Sequence, residues 1–486
     1  MPAELTNYHF KVYGIKNGVP HFEAEALNVV AGDVYLIDGG SNAAAVVLYD
    51  PADTIPHAYR YDRNPFIRNY GLKYADENSY VWHSEADDDA PFASFRSGQW
   101  GLRLGRNIVE NQQIPIAIIN GSASVASIEY LQPNWQNPTD TASNYGRLLT
   151  RVRNARLENH IRAILFFQGE TDGWYAAFDS LNATDQTNIY KNKWLDLHNA
   201  WQLHYPGFES TYLFQTRPGC FTGPDWGGIT PEQNILGNLK IMEAQRQLAE
   251  EIETVQIMSS GGMNHFGCLF GYINGYERAG DDIYRLLAKD LYDSGAGLAI
   301  YPPTVASVSM MENEPDQLLL TFQHPEDELI ITSGLEHHFR LEGSLGIEIL
   351  SLQATENGVR LQLSNVPEPG FTGLSYAPYP ASNESPVKNE RGIGLLGFYN
   401  KPVIITNIIE PSLASGAVKV YPNPTLGGSA IYLEVKAGFE LNALELYGAG
   451  GSLVYIKNFT HPAEGNIRIT PQVDSGVYHL KIKLSN

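Results

Sequence analysis

The chain is poor in cysteine. Its 486 residues include two, Cys220 and Cys268, which allow at most one internal disulfide. Because there is neither a CxxC pair nor a Cys/His ladder, a structural zinc site is not expected. Low cysteine usage fits both the cytoplasm and an exported bacterial protein. The sequence does not decide whether the two cysteines pair.

Basic residues and long apolar runs are also scarce. There are 33 Lys and Arg against 54 Asp and Glu, a net charge of −21. Nucleic acids and anionic membranes both favour a basic face, so neither is expected as the main partner. No apolar run reaches the roughly 18 to 20 residues of a membrane-spanning helix. The first residues (MPAELTNYHFKVYGIKNG) lack a basic stretch followed by an apolar one, so no signal peptide is expected in this chain.

Apolar material is nevertheless plentiful. Hydrophobic residues make up 43% and charged residues 18% of the chain, which excludes a mostly disordered protein. A chain of this length is typical of two to four domains.

Residues 30–295 alternate short apolar runs with amphipathic stretches. Helical spacing occurs in the segments that follow Ser143 and Ala279. Five runs have the length of strands buried on both faces: 33–37, 114–119, 161–167, 211–214 and 254–258. Strands separated by helices imply right-handed crossovers. We therefore predict a three-layer α/β/α domain around a parallel sheet.

The pattern changes after residue 300 to short alternating runs separated by turn residues, which predicts two all-β, sandwich-like domains. The opening residues also alternate like strands. The predicted organisation has four parts: the tail of a preceding β-rich segment at 1–29, the α/β domain at 30–298, an accessory β-sandwich at 301–407 and a final β domain at 412–486.

In an open parallel sheet, ligands bind outside the carboxyl ends of the strands. The residues that follow the five apolar runs are, in chain order, 38–42 (DGGSN), 120–122 (NGS), 168–170 (QGE), 215–217 (QTR) and 261–265 (GGMNH). A serine, a glycine, a carboxamide and a histidine are thus expected at one edge of the sheet. These are the groups that an acyl-transfer site needs.

The catalytic pair would be Ser41 and His265. A serine hydroxyl needs a neighbouring base to act as a nucleophile at neutral pH. Of the 13 histidines, His265 is the one that directly follows a predicted strand end. Candidate donors to the oxyanion are the backbone N–H groups of Ser41 and Gly121 and the side-chain amide of Gln168.

Two further residues are candidates for supporting roles at this edge. Asn42 is placed to brace the serine turn, and Glu170 is a nearby acid. Each motif taken alone is more typical of an ordinary turn or loop, so the hypothesis rests on their joint placement at successive strand ends.

As an ordered set, these motifs resemble those of the SGNH-type (GDSL) hydrolases, and most of all the sialate O-acetylesterase and carbohydrate acetylesterase branch. The resemblance spans about residues 30–295. Gly40 stands where the family usually has Gln. The four matching segments are 32–42 (GDVYLIDGGSN), 114–121 (IPIAIING), 166–172 (FFQGETD) and 262–266 (GMNHF).

The chain departs from the family at the acid that orients the histidine. The family has an Asp three residues before it, and here that position is Gly262, with no carboxylate in residues 259–265. Three alternatives remain open: a Ser–His dyad, another acid such as Glu170 or Asp281, or a degenerate site.

The resemblance implies a serine esterase that hydrolyses acetyl esters on a carbohydrate through an acyl-serine intermediate, with no metal or organic cofactor. The alternative is a catalytically decayed carbohydrate-binding or adhesion protein on the same scaffold. Gly40, Gly262 and the aromatic pair Trp174 and Tyr175 favour that alternative, although the pair is more typical of ordinary packing.

The last 75 or so residues resemble the C-terminal sorting domain of the Bacteroidetes type IX secretion route. The motifs that carry this resemblance are 418–425 (VKVYPNPT) and 475–478 (SGVY). It implies the secretion machinery as a partner and a secreted or cell-surface location. A chain exported in this way also needs a signal peptide, so we expect the true N-terminus to lie upstream of Met1.

Overall fold

The computed structural model of the chain describes residues 1–46, 57–73, 76–87, 96–178, 183–294, 297–311, 314–343, 346–356, 358–367, 371–379, 381–406, 418–421, 431–435, 440–448, 453–463, 465–471 and 478–485.

A β-hairpin opens the chain. Its antiparallel strands are β1 (Tyr8–Lys16) and β2 (Val19–Val29). The reversal at Asn17 and Gly18 has positive φ angles at both residues, which is the backbone that an Asn-Gly hairpin turn requires. Most of the hairpin is exposed.

A seven-stranded sheet forms the centre of the α/β region. In space the strand order is β5-β4-β6-β3-β7-β8-β9, and every neighbouring pair is parallel except β4 with β5. The strands are β3 (Asp33–Gly39), β4 (Ile67–Lys73), β5 (Asp76–Ser84), β6 (Ile116–Asn120), β7 (Ile161–Phe167), β8 (Ser210–Gln215) and β9 (Val255–Ser259). The five predicted strands are confirmed as β3 and β6 to β9. The hairpin of β4 and β5 was not predicted, and it adds an antiparallel edge.

Helices cover both faces of this sheet. They are α1 (Ser41–Ala44), α2 (Ala58–Tyr61), α3 (Gln99–Gln112), α4 (Asn144–Asn154), α5 (Glu170–Phe178), α6 (Ala183–His204), α7 (Pro231–Glu251) and α8 (Glu277–Tyr292). Ser143 caps α4 by accepting the Gly146 N–H at 3.0 Å, as its sequence position predicts. Thr230 and Gln233 form a reciprocal capping box at the start of α7.

Alternate residues of β3 enter two separate cores. Tyr35 and Ile37 pack with helices α3 and α8, whereas Val34 and Leu36 pack with helices α4 and α6. A strand that is buried in this way on both faces has a continuous run of apolar residues in its sequence. The three-layer α/β/α prediction is confirmed.

Two short strands, β10 (His265–Phe266) and β11 (Leu269–Phe270), follow β9 as a small hairpin. A kinked turn at Tyr272–Tyr276, with non-helical backbone at Ile273 and Asn274, then leads into α8.

The next region is all β. Seven of its strands form one sheet in the order β15-β18-β20-β12-β13-β17-β16, and β14 pairs with β19. The strands are β12 (Val305–Met311), β13 (Glu314–Phe322), β14 (Leu329–Ile331), β15 (Phe339–Glu342), β16 (Ile349–Thr355), β17 (Gly358–Leu363), β18 (Gly373–Tyr376), β19 (Val387–Asn389) and β20 (Phe398–Thr406). Leu318, Leu361 and Phe398 are buried in its own core.

This β-rich region is docked on the α/β region through Gln215, the last residue of β8. The side chain of Gln215 donates to the Gly397 carbonyl at 2.9 Å and accepts the Gly397 N–H at 2.7 Å. Ser259, at the end of β9, donates to the Leu395 carbonyl at 3.3 Å. Both contacts lie at the carboxyl edge of the sheet, so the β-rich region covers part of the edge where a site is expected.

The end of the chain contains two three-stranded sheets, β21-β22-β25 and β24-β23-β26. The strands are β21 (Val418–Tyr421), β22 (Ile431–Val435), β23 (Glu440–Gly448), β24 (Leu453–Ala463), β25 (Gly465–Ile469) and β26 (Tyr478–Ser485). They share a core that includes Leu433 and Leu444. The predicted break at 410–412 and most of the two sorting motifs, 422–425 and 475–477, lie outside the described residues.

None of the described helices is both long and apolar enough to cross a membrane.

Candidate active site

Ser41 is positioned by a sharp turn between β3 and α1. Gly39 has a φ of +135°, and a Cβ at this position would lie 2.2 Å from the Phe167 carbonyl oxygen of β7. The Gly40 N–H donates to that same carbonyl at 2.9 Å. Only glycine permits this close approach at position 39. The turn therefore places Ser41, half-buried, at the head of α1 and at the carboxyl edge of the sheet.

Asn42 is a buried junction between three segments. Its Nδ2 donates to Glu170 Oε1 at 2.7 Å and to the Cys268 carbonyl at 3.0 Å. Its Oδ1 accepts the Tyr276 hydroxyl at 3.0 Å. The residue predicted to brace the turn thus also joins the segment of Ser41 to helix α5 and to the segment that carries the histidine.

Glu170 is buried at the start of α5. Burial raises the pKa of its carboxyl group, while the hydrogen bond from Asn42 and the charge of Arg217 act in the opposite direction. The structure therefore brings Ser41, Asn42 and Glu170 together at one place.

The Gln168 side chain is engaged within the protein. Its Nε2 donates to the Ala126 carbonyl at 3.0 Å and to the Asp172 carboxyl group, and its Oε1 accepts the Tyr190 hydroxyl at 2.9 Å. The carboxamide predicted as an oxyanion donor thus has both of its N–H groups committed to other acceptors in this structure.

The two backbone N–H groups predicted as oxyanion donors, those of Gly121 and Ser41, differ in whether they already form a hydrogen bond. The Gly121 N–H donates to the Ile37 carbonyl at 2.8 Å. The Ser41 N–H lies in the first turn of α1, where intrahelical acceptors are lacking, and it has no hydrogen-bond partner within the described part of the chain. Of the three predicted oxyanion donors, Ser41 is the one whose N–H group is unengaged.

His265 lies in β10 and its side chain is buried, with 6% of the residue exposed. Its Nε2 is 2.9 Å from the Ser382 carbonyl oxygen, and its backbone N–H donates to Asn383 Oδ1 at 3.1 Å. Its Nδ1 is buried and has no hydrogen-bond partner among the residues described. Over the same residues, no hydrogen bond joins the side chains of Ser41 and His265.

The His265 ring is in an environment that keeps it neutral. Burial, and then the positive charge of Arg217, lower its pKa to about 4. At neutral pH the ring is therefore available as a proton acceptor, which a general base must be.

Neither of the two acids considered as substitutes for the missing Asp reaches the histidine. Glu170 accepts from Asn42, and Asp281 accepts from Arg103 Nε at 2.6 Å. Within the described ranges, no carboxylate forms a hydrogen bond with His265. The position three residues before it, Gly262, has a φ of +75°.

The sequence-based prediction missed two residues that lie near His265 in the candidate site. Arg217 is buried just after β8, donates to the Gly267 carbonyl at 3.3 Å, and places a positive charge near both Glu170 and His265. Its position after the fourth strand end was the signal that could have identified it. Ser382 had no such signal, because it lies 117 residues beyond His265 in a different sheet region.

Cys220 and Cys268 form a disulfide bond. It ties the loop that follows β8 to the turn between β10 and β11. The Cys268 carbonyl is also an acceptor for Asn42, so the covalent link lies where the serine and histidine segments meet.

An aromatic cluster lies beside the site. Trp174, on α5, is in ring contact with Tyr175, Phe178, Phe221 and Trp226, with centroid distances from 5.1 to 6.2 Å. Three of these rings are well exposed: Tyr175 (55%), Phe178 (52%) and Trp226 (40%). The cluster is joined to the site because α5 begins with Glu170 and the loop that carries Phe221 is held by the disulfide.

A separate groove in the described part of the chain lies elsewhere. Its volume is about 720 Å³, and it is lined by Leu27, Gly32, Trp82 and Pro115 among others. Gly32 and Pro115 lie at the amino ends of β3 and β6, opposite to the edge that carries Ser41, whereas Leu27 lies in β2 and Trp82 in β5. Since the chemically competent groups are at the carboxyl ends, we assign the site there and not to the groove.

Comparison with known proteins supports an esterase domain in this part of the chain. Residues 31–197 match the model of the family described as carbohydrate esterase, sialic acid-specific acetylesterase. This segment includes Ser41, Gly121 and Gln168. No curated protein matches the chain.

Several solved structures are similar to the chain, and one of them shows the same fold over most of its length. A carbohydrate acetylesterase from Xanthomonas citri is similar over 78% of this chain and 82% of its own, with 15% identity and a TM-score of 0.56. A protein from Arabidopsis thaliana matches with 15% identity over 53% of this chain and 98% of its own (TM-score 0.37). The carbohydrate acetylesterase Est24 from Sinorhizobium meliloti matches with 12% identity over 53% and 99% (TM-score 0.32). The Xanthomonas citri structure thus shows the fold that this chain shares, and the family model matches the part of the α/β region at residues 31–197.

Proposed function

We propose that the protein is a serine esterase that removes O-acetyl groups from carbohydrates, with O-acetylated sialic acid as the first substrate to test. What supports this proposal is that Ser41 and a neutral, buried His265 lie on two segments at the same edge of the sheet. Their segments are joined through the hydrogen bond from Asn42 to the Cys268 carbonyl.

The reaction would proceed in two steps. Ser41 Oγ attacks the acetyl carbonyl while His265 Nδ1, the ring nitrogen without a partner, takes the hydroxyl proton. The ester bond to the sugar breaks, the departing sugar oxygen takes the proton from His265 and becomes a hydroxyl, and the acetyl group stays on Ser41 Oγ. A water molecule then attacks the acetyl-serine ester with the same base, which releases acetate and restores the Ser41 hydroxyl.

The negative charge that develops on the carbonyl oxygen needs hydrogen-bond donors aimed at it. We propose the Ser41 backbone N–H as the first donor, because it is unengaged within the described residues. Gly121 and Gln168 would join it only by exchanging their present acceptors, Ile37 for the former and Ala126 or Asp172 for the latter.

The aromatic cluster supports a carbohydrate as substrate. An exposed ring offers a flat apolar face on which the C–H face of a sugar can pack, and binding sites combine such faces with a few polar groups. Tyr175 and Trp226 provide these faces close to the start of α5. They would fit any pyranose, so the sialate assignment rests on the family description alone.

The test is acetate release by the wild type and two serine variants. Wild-type protein should hydrolyse p-nitrophenyl acetate, and Ser41→Ala should lower kcat by about 10⁴-fold or more, as loss of a serine nucleophile does in other hydrolases. Ser124→Ala, an exposed serine near the same edge, is the matched control and should be as active as the wild type. Parallel assays with O-acetyl sialic acid and acetylated xylan would rank the substrates. A Ser41→Ala variant as fast as the wild type would exclude this mechanism.

A second candidate is a carbohydrate-binding protein without catalysis. The specific observation in its favour is that, within the part of the chain described, His265 contacts neither a carboxylate nor the Ser41 hydroxyl. A fluorophosphonate probe separates the two functions, because only an activated serine reacts with it. Glycan binding without labelling would support this second function.

We also propose that the final β-stranded part directs secretion and surface display, on the basis of the motifs at 418–425 and 475–478. Expression with a signal peptide in a bacterium that has the type IX route provides the test. The full chain should reach the surface or the medium, and a chain without residues 412–486 should stay in the periplasm.

A further inference from the structure

We propose that the β-rich region supplies the group that orients the catalytic histidine: the backbone carbonyl of Ser382 takes the place of the missing carboxylate. This inference rests on the proposed function. We call residues 381–386, which carry this carbonyl, the bracing loop. Ser382 is in this sense a positioning residue, because it acts through His265.

The geometry determines which ring nitrogen carries the proton. A carbonyl oxygen can only accept a hydrogen bond. At 2.9 Å from the Ser382 oxygen, Nε2 must therefore be the protonated nitrogen of the neutral ring. The lone pair is then on Nδ1, which is buried, forms no hydrogen bond of normal geometry within the described residues and would take the serine proton. The Gly267 carbonyl is a second backbone acceptor beside the ring and, like that of Ser382, raises its pKa. The same contact that orients the ring thus selects its tautomer.

The bracing loop holds the backbone of the histidine segment as well as its ring. Asn383 Oδ1 accepts the His265 N–H at 3.1 Å, and Asn383 Nδ2 donates to Asn264 Oδ1 at 3.2 Å. Three hydrogen bonds therefore connect Ser382 and Asn383 of the loop with two adjacent residues of the histidine segment, Asn264 and His265. Such a repeated connection positions the ring more firmly than one contact would.

The loop is itself anchored on the side away from the histidine. Ser385 is fully buried, and its hydroxyl donates to the Val387 carbonyl at 2.7 Å and accepts the Leu395 N–H at 3.2 Å. Two residues further on, Gly397 exchanges two hydrogen bonds with Gln215 at the end of β8. The carbonyl of Ser382 is therefore presented by a segment that is tied both to its own sheet and to the α/β region.

A neutral acceptor performs only part of what a carboxylate does. It can fix the ring orientation and the tautomer, and in a serine protease the wrong tautomer alone costs about 10⁴ in kcat. It provides less stabilisation for the imidazolium ion that forms when the base takes its proton. We therefore expect an esterase with a histidine that is well oriented but weakly basic.

Nitrogen-15 NMR of the full-length, histidine-labelled protein tests the tautomer without reference to activity. The His265→Gln variant identifies the resonances of this residue among the 13 histidines. At pH 7 we expect a protonated Nε2 and an unprotonated Nδ1. A protonated Nδ1, or a rapidly averaged mixture of the two tautomers, would overturn the inference.

Kinetics of the Asn383→Leu variant test the bracing loop. Asn383 is exposed, so its replacement should not prevent folding. Because small misplacements of a catalytic group can cost up to about a hundredfold in rate, kcat should fall by about 10- to 100-fold while KM stays within about twofold. The Asn383→Asp variant keeps an oxygen for the His265 N–H and should recover part of the rate.

Glu384→Gln is the matched control on the same loop, since this exposed side chain pairs with Lys388 and not with the histidine segment. It should leave kcat unchanged. An Asn383→Leu variant with wild-type kcat would contradict the bracing role. If the wild type itself shows no turnover that depends on Ser41, the proposed function fails, and the NMR result still decides the tautomer.

Discussion

The two halves of the candidate site are held in place in different ways. The serine half, Ser41 with Asn42 and Glu170, is fixed by contacts inside the α/β region. The histidine half depends on the bracing loop of the β-rich region, through Ser382 and Asn383. The candidate site thus has contributions from two regions of the fold, and only one half of it can be understood from the α/β region alone.

The position of the strands in the sheet explains this difference. Strands β3 and β7 are neighbours in the interior, so the turn at Gly39 and the start of α5 at Glu170 meet directly. Strand β9 is at the edge of the sheet and has β8 on one side only. The segment that follows it, with His265, therefore lacks a neighbouring strand end, and the β-rich region covers it instead.

Breaking the serine half should have the largest effect on stability. The Asn42→Leu change removes two donated hydrogen bonds, one of them to the buried Glu170 carboxyl group, and leaves the Tyr276 hydroxyl without its acceptor. We expect the free energy of unfolding to fall by about 3 to 4 kcal/mol, from the loss of charge-assisted bonds and the burial of unsatisfied groups. Urea unfolding measures this. The exposed Asn111→Ala control should change it by less than about 0.5 kcal/mol. A loss below 1 kcal/mol for Asn42→Leu would show that the junction is not important for folding.

Removing the covalent link between the halves should have the next largest effect. The double change Cys220→Ala and Cys268→Ala opens a loop with a sequence separation of 48 residues. A disulfide that closes a loop of this size stabilises a protein by about 3 to 4 kcal/mol, and engineered or natural bonds often contribute less, so we expect a loss of about 3 kcal/mol. Thermal unfolding of the variant and of reduced wild-type protein should agree. Equal stability of the oxidised and reduced proteins would contradict this expectation.

Loosening the contact between the β-rich region, which supports the histidine half, and the α/β region should destabilise the protein less. The Gln215→Leu change removes the two hydrogen bonds with Gly397 and one to the Met242 carbonyl. We expect a loss of about 2 kcal/mol and a separate, earlier unfolding step for the β-rich region in a calorimetric scan. The Gln323→Leu variant, whose side chain makes one exposed contact with Glu250, is the control. A single transition with wild-type stability would show that the contact of Gln215 with Gly397 is not the main connection between the two regions.

The smallest effect is expected on the pH dependence of kcat/KM. The general base must be neutral, so activity should persist as the pH is lowered and fall only near pH 4, where His265 takes a proton. Removal of the Arg217 charge in Arg217→Gln should raise this pKa, and we expect the acid limb of the profile to move up by about one pH unit, equivalent to about 1.4 kcal/mol. The exposed Arg153→Gln change should not move it. An acid limb that stays in place, or moves down, in Arg217→Gln would show that this charge does not act on the base.

Local sequence patterns predicted much of the α/β region. The five buried strands were identified because each is a continuous apolar run, and α4 because apolar residues recur at helical spacing after Ser143. The hairpin of β4 and β5 was missed, since an edge strand that is partly exposed has no such run. Gln168 was assigned to the oxyanion from its place after β7, but two of its partners, Ala126 and Tyr190, come from other segments of the chain.

The sequence by itself indicated a serine turn, because two glycines and Ser41 follow the first apolar run, and the structure shows that glycine is required at position 39 beside the Phe167 carbonyl of the neighbouring strand β7. It also determined that a histidine follows the end of β9. Only the tertiary structure decided the pairing of Cys220 with Cys268, the proton position on His265 and the origin of its orienting group. The physical reason is that strand formation and turn geometry depend on neighbouring residues, whereas hydrogen-bond partners are chosen by distant segments that packing brings together.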